Sequence, residues 1–137
     1  AKRQEIPPQP LPRGQKYAII EHMKKTLRPV ISVRIFREEK CFGPGVAALL
    51  KSIEEHHSLR SAAASMSMAY SKAWTILKTS EEELGFKLLH TTTGGRHGGG
   101  ATLTPEAQAL LEAYTAYCTA LKAAGTALFE EHFQEFL

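Results

Sequence analysis

Residues 59–85 read LRSAAASMSMAYSKAWTILKTSEEELG, and the fold turns on them. The opening "LRSAAASM" (59–66) is dense in alanine, the strongest helix former, and Ser58 ahead of it carries the hydroxyl that an N-cap needs. Its three successive alanines let another helix approach closely. A break at Ser67 precedes "AYSKAWTILKTSEEELG" (69–85), a longer helix with Ala73, Trp74, Ile76, Leu77 and Leu84 as apolar contacts and Gly85 as C-cap. A short small-sided helix, a tight turn and a longer helix are the parts of a helix-turn-helix, whose second helix enters the DNA major groove.

Upstream, the apolar period is also helical in "VAALLKSIEEH" (46–56), where Val46, Leu49, Leu50 and Ile53 share one face. His56 and His57 end that helix and suit its C-terminal dipole. They point in different directions and do not read as metal ligands. Before Gly43-Pro44-Gly45 the period is two. Val30, Ser32, Arg34 and Phe36 alternate with Ile31, Val33, Ile35 and Arg37 in "VISVRIFRE" (30–38), which predicts a strand that turns into a short hairpin near Cys41 and Phe42. "YAIIEHMKKTL" (17–27) predicts a short helix closed by Pro29. Residues 1–15, with Pro7, Pro8, Pro10 and Pro12, read as an extended arm.

Downstream, "FKLLHT" (86–91) and "ATL" (101–103) read as two strands, and "TTTGGRHGGGAT" (91–102) packs five of the chain's ten glycines between them. Strand, glycines, strand is a hairpin, and a hairpin directly after a recognition helix is a wing. A phosphate-binding loop would instead pass from strand to glycines to a helix opened by Lys-Ser or Lys-Thr, and that lysine pair is missing. The last segment, 104–137, opens with Thr104 as N-cap, Pro105 at the first helical position and Glu106 on the positive end of the dipole. Ala107, Leu110, Tyr114, Tyr117, Leu121, Ala124 and Leu128 recur at alternating spacings of three and four, the seam of a helix pair. Phe129, Phe133 and Phe136 would cap a core shared between two copies.

Charge divides along the same line. Residues 1–102 carry 16 basic and 9 acidic side chains, whereas residues 103–137 carry 1 and 5, giving +7 and −4 within a net charge of +3. A basic body before an acidic helix predicts a polyanionic partner for the body. The two cysteines, Cys41 and Cys118, lack metal-ligand spacing and are expected to be reduced thiols. No long apolar run or signal-type segment is present, so a cytoplasmic protein with no membrane association is expected. No nucleophile–base order or carboxylate pair suggests catalysis, and neither a metal nor a cofactor is expected.

The run from Phe42 to Leu111 resembles the winged helix-turn-helix of the molybdate-responsive ModE regulators, which is itself similar to the DNA-binding domain of LysR-type regulators. The resemblance is carried by "MAYSKAW" (68–74), "EELGFKLL" (82–89) and "TGGRHGGGATLT" (93–104), in that order, over about half of the chain. It implies that Tyr70, Ser71, Lys72 and Thr75 face DNA while Ala73 and Trp74 pack inward. It also implies that Arg96 and His97, at the wing tip, reach phosphates or a minor groove. Ala69 stands where that family commonly has a capping serine, Ser71 where it has a basic residue, and Thr91 where an arginine follows the strand. Full-length members carry molybdate-binding β-barrels, and no segment here reads as one. The chain therefore resembles the stand-alone members, and molybdate binding by it is not expected.

The expected protein is mainly α with a small β component. It has an arm (1–15), a winged helix-turn-helix (16–103) and a C-terminal dimerisation helix (104–137). The expected function is a bacterial transcription regulator that binds double-stranded DNA as a homodimer, linked to molybdenum-related genes. The alternative is a winged-helix scaffold with little DNA affinity, motivated by Ala69, Ser71 and Thr91.

Overall fold

The computed structural model describes residues 26–93 and 99–137. Its elements run β1 (Ile35–Phe36), β2 (Lys40–Phe42), α1 (Pro44–His56), α2 (Leu59–Ser65), α3 (Tyr70–Leu84), β3 (Leu89–Thr91), β4 (Ala101–Leu103) and α4 (Pro105–His132), then a 3-10 turn at Gln134–Phe136. Four helices with two small antiparallel sheets among the described residues give the mainly α, winged helix-turn-helix class that the sequence predicts.

Helix α1 gains its first turn from Pro44, whose fixed φ suits the first helical position. Val46, Leu49, Leu50 and Ile53 are all buried, as their spacing requires. The helix stops where His57 takes a left-handed φ of 57° and gives its N–H to the Ile53 carbonyl at 2.8 Å. Ser58 then starts α2 by accepting the Ser61 N–H on its hydroxyl at 2.9 Å. The alanines bring α2 against α1: Ala62 and Ala63 are buried, and so is Ser52 on α1. Ser52 shares a 2.8 Å hydrogen bond with the Ser65 hydroxyl, so this polar group in the helix–helix contact is satisfied.

The turn between α2 and α3 passes through Ser67 at φ 52°, and the Met68 N–H returns to the Ala63 carbonyl at 2.9 Å. Gly85 closes α3 at φ 84°, in the left-handed region that costs glycine little, and donates to the Glu81 carbonyl at 2.8 Å. Ala73, Leu77 and Ser80 are the buried side of α3, facing a core that also holds Phe42, Leu59 and Leu88.

The strand expected over 30–38 is much shorter. Only Ile35 and Phe36 pair, with Phe42 and Lys40, across a register irregularity. Alternation of β-branched residues supplies the preference for extended backbone but no partner, and β2 offers three residues to pair with. Val33 and Arg34 instead pass α4: the buried Tyr114 hydroxyl donates to the Val33 carbonyl at 2.8 Å. Burial, and then the neighbouring Cys118, push the Tyr114 phenol above the ordinary tyrosine range. Helix α4 continues through Gly125, where a Cβ would run into the Ile31 side chain. Both cysteines are free. Most of the helix expected over 17–27 and the whole proline-rich arm lie outside the described residues, and residues 26–34 form no regular element.

Residues 30–125 form one compact unit. Residues 126–137 belong to a second unit, in which the Phe129 and Phe133 rings stack at 4.6 Å and Phe136 lies 6.0 Å from Phe133. Residues 133–137 lie beyond the end of α4 rather than within a helix running to 137.

Candidate nucleic-acid interface

Three faces run along α3. Its buried face is spaced 73, 77, 80, leaving two others for solvent. On the outer face Ser71, Lys72 and Thr75 are all exposed, and the Thr75 hydroxyl donates to the Ser71 carbonyl at 2.9 Å, which fixes its rotamer and leaves its oxygen able to accept. Tyr70 lies on the flank between the outer and buried faces, 43% exposed, with the Arg60 guanidinium 4.6 Å from its ring centroid. No side chain caps this helix: Ala69 is extended and contributes only its carbonyl, which accepts the Ala73 N–H at 3.1 Å.

Trp74 reverses the expectation that it packs inward. It is 49% exposed, on the same flank as Tyr70, with Lys78 Nζ 5.4 Å from its ring centroid. The inward arc is already filled by Ala73 and Leu77, and residue 74 falls one step around the helix from them.

The wing stands beside that flank. Leu89, His90 and Thr91 pair with Leu103, Thr102 and Ala101, so the second predicted strand is matched in full, whereas the first begins at Leu89 rather than at Phe86. Above the ladder, the Thr92 N–H donates to the Gly100 carbonyl at 2.9 Å and the Gly100 N–H to the Thr92 hydroxyl at 3.1 Å. A Cβ on Gly99 would fall on the Thr92 carbonyl oxygen, so glycine is needed for this close approach. The Ala101 N–H donates to the His57 carbonyl at 2.8 Å, which pins the wing to the junction of α1 and α2. Thr104 then ties the wing to α4: its hydroxyl donates to the Lys87 carbonyl at 2.7 Å and accepts the Ala107 N–H at 3.1 Å. Arg96 and His97 lie outside the described residues.

Between α3 and β3 runs a groove of about 610 Å³, lined among others by Arg60, Tyr70, Trp74, Lys78, Lys87 and His90. Glu81 brings the opposing charge to this lining, and its carboxylate is within 3.4 Å of Lys87 Nζ. The structure thus brings Tyr70 into this groove and leaves Ser71, Lys72 and Thr75 on the adjoining outer face.

The pattern of bacterial regulatory helix-turn-helix proteins of the LysR family matches residues 47–108, from the first turn of α1 to the first turn of α4. Over those residues the chain is similar to the LysR-type helix-turn-helix domain. The same stretch is similar in sequence to part of the ModE proteins. It is similar to the Molybdenum transport protein ModE of Herbaspirillum seropedicae, 39% identical over 64 residues that cover 47% of this chain and 24% of the relative. It is also similar to the Transcriptional regulator ModE of Haemophilus influenzae, 37% identical over 71 residues, 52% of this chain and 28% of the relative. The Molybdenum-pterin-binding protein MopB of Rhodobacter capsulatus is 35% identical over 69 residues, 50% of this chain and 26% of the relative. The matched part of each relative is 28% of its length or less.

Trp74, Arg60, Lys78 and Lys87 are what sequence reasoning missed at this groove. The available signal was the spacing of Ala73, Leu77, Ser80 and Leu84, which already fills a buried arc without Trp74.

Among the described residues no helix is long and apolar enough to cross a membrane, and no three His, Cys, Asp or Glu residues are grouped to hold a metal.

Proposed function

We propose that this chain binds double-stranded DNA as a transcription regulator, with the N-terminal turns of α3 in the major groove and the wing beside it. The observation that carries this is the exposure of Tyr70, Ser71, Lys72 and Thr75 at the start of a helix that holds its place through a different face. Lys72 is the phosphate or base-edge contact, Ser71 and Thr75 offer hydroxyls, and Tyr70 lies at the edge of the contact. Arg96 and His97, which the sequence resemblance assigns to DNA, are expected to add backbone contacts. Electrophoretic mobility against genomic fragments at two salt concentrations tests this. Lys72→Ala combined with Arg96→Ala is expected to lose most of the shift, and a double variant that shifts DNA like the wild type sinks it in favour of the scaffold alternative.

The functional unit is a homodimer formed through α4. Tyr117 and Leu128 are 55% and 53% exposed on the predicted seam, which supports a partner for that stretch. The first part of the seam does other work: Ala107 and Tyr114 are buried in the domain's own core, together with Leu111, which the seam omitted. Light scattering on Tyr117→Glu combined with Leu128→Glu is expected to give a monomer against a wild-type dimer, and an unchanged mass removes α4 as the interface. Similarity to a molybdenum transport protein and to a transcriptional regulator supports a role at molybdenum-related genes. Sequencing of genomic fragments retained by the protein tests that role.

A further inference from the structure

The groove beside α3 holds more positive charge and more exposed aromatic surface than a helix-turn-helix needs to stay folded. Trp74 leaves half its surface in water, a costly position for the largest apolar side chain. Arg60 from α2, Lys78 from α3 and Lys87 before β3 converge on the groove that Trp74 lines, and Glu81 is engaged with Lys87. The cations are also arranged about the rings, Arg60 by Tyr70 at 4.6 Å and Lys78 by Trp74 at 5.4 Å. Cationic heads set against flat apolar faces complement one polymer in particular, a strand of alternating phosphates and deoxyriboses.

We propose that this groove clamps the sugar–phosphate backbone of one DNA strand, with Arg60 and Lys78 on phosphates and the Trp74 indole against a deoxyribose between them. The proposal rests on the DNA-binding reading above and adds residues to it. The clamp ignores sequence, since it touches no base edge, and sets how the duplex is seated while the outer face of α3 reads bases. Thr91 and Thr92, which line the same groove, are placed to donate hydroxyl hydrogens to the phosphates.

Trp74 is the chain's single tryptophan, so its fluorescence reports this groove alone. The test uses the full chain and a fluorescein-labelled 30-base-pair duplex of arbitrary sequence, because a backbone clamp does not require the operator. Anisotropy of the labelled DNA measures binding, and acrylamide quenching measures access to Trp74. At saturating DNA the quenching constant is expected to fall at least twofold. Arg60→Gln and Lys78→Gln, each checked for an unchanged melting temperature, are each expected to lower the slope of log K against log salt by about one, the loss of one phosphate contact. Binding with Trp74 as accessible as in the free protein, or with both slopes unchanged, overturns the clamp and leaves DNA binding by the outer face standing. No binding of this duplex or of genomic fragments at low salt overturns the DNA-binding reading and the clamp together.

Discussion

Helices α1 and α3 belong to the same compact unit and use their large apolar residues in opposite ways. Helix α1 buries all four of its large apolar side chains and shows water only small, charged or histidine ones. Helix α3 holds its place through Ala73, Leu77 and Ser80 while its two largest side chains, Tyr70 and Trp74, stay half in water. Burying a tryptophan would be worth a few kcal/mol, and the fold forgoes about half of that at Trp74. The contrast is between a helix that spends its large apolar surface on the core and one that leaves it free for the contact proposed above.

The sharpest way to break that contrast is in α1. Ile53→Ala empties a fully buried site and is expected to cost about 2–5 kcal/mol in urea denaturation, with the salt slope of DNA binding unaltered well below the melting temperature. Tyr114→Phe comes next. It removes the hydrogen bond to the Val33 carbonyl and is expected to cost about 1–1.5 kcal/mol. Because the folded phenol titrates above the unfolded value near 10, its contribution is intact below that pH and declines as pH climbs towards the folded value. The phenylalanine variant should therefore lose less stability than the wild type on going from about pH 9 to 11, a difference read by thermal melts.

Caps give a smaller and signed effect. Ser58→Ala at the start of α2 should cost about 1 kcal/mol, whereas Ala69→Ser at the start of α3 should gain up to that amount, since no side chain caps that helix. Finally, Trp74→Ala should change stability by about 1 kcal/mol or less, while weakening DNA binding in the same preparation. A large stability loss there would mean that the indole is structural and that the two helices do not differ as described.

Much of this division was readable in the chain. Ser58, Gly85, Pro105 and Thr104 announce their caps because each has a local chemical reason to sit there, and the apolar face of α1 follows from its period. Trp74 departs from the sequence expectation because size and apolarity do not fix burial once the smaller residues beside it fill the inward arc. The 30–38 strand was overestimated because alternation says nothing about whether a neighbouring strand exists. The α4 seam was offset at Leu110 and Leu111 because two apolar residues side by side fit either of two registers, and only the surrounding core chooses. Arg60, Lys78 and Lys87 come from three separate stretches, and a groove assembled by packing leaves no mark at any one of them.

The single residue between β4 and α4 has a mechanical meaning. With Thr104 bonded to both sides, wing and helix share one joint with no slack in it. If two copies meet along α4, a rotation of either helix about its neighbour swings its wing by the same angle. The distance between the two DNA half-sites is then set by side chains far from any base, and a change of packing along α4 would act as a gear on which operators the protein accepts.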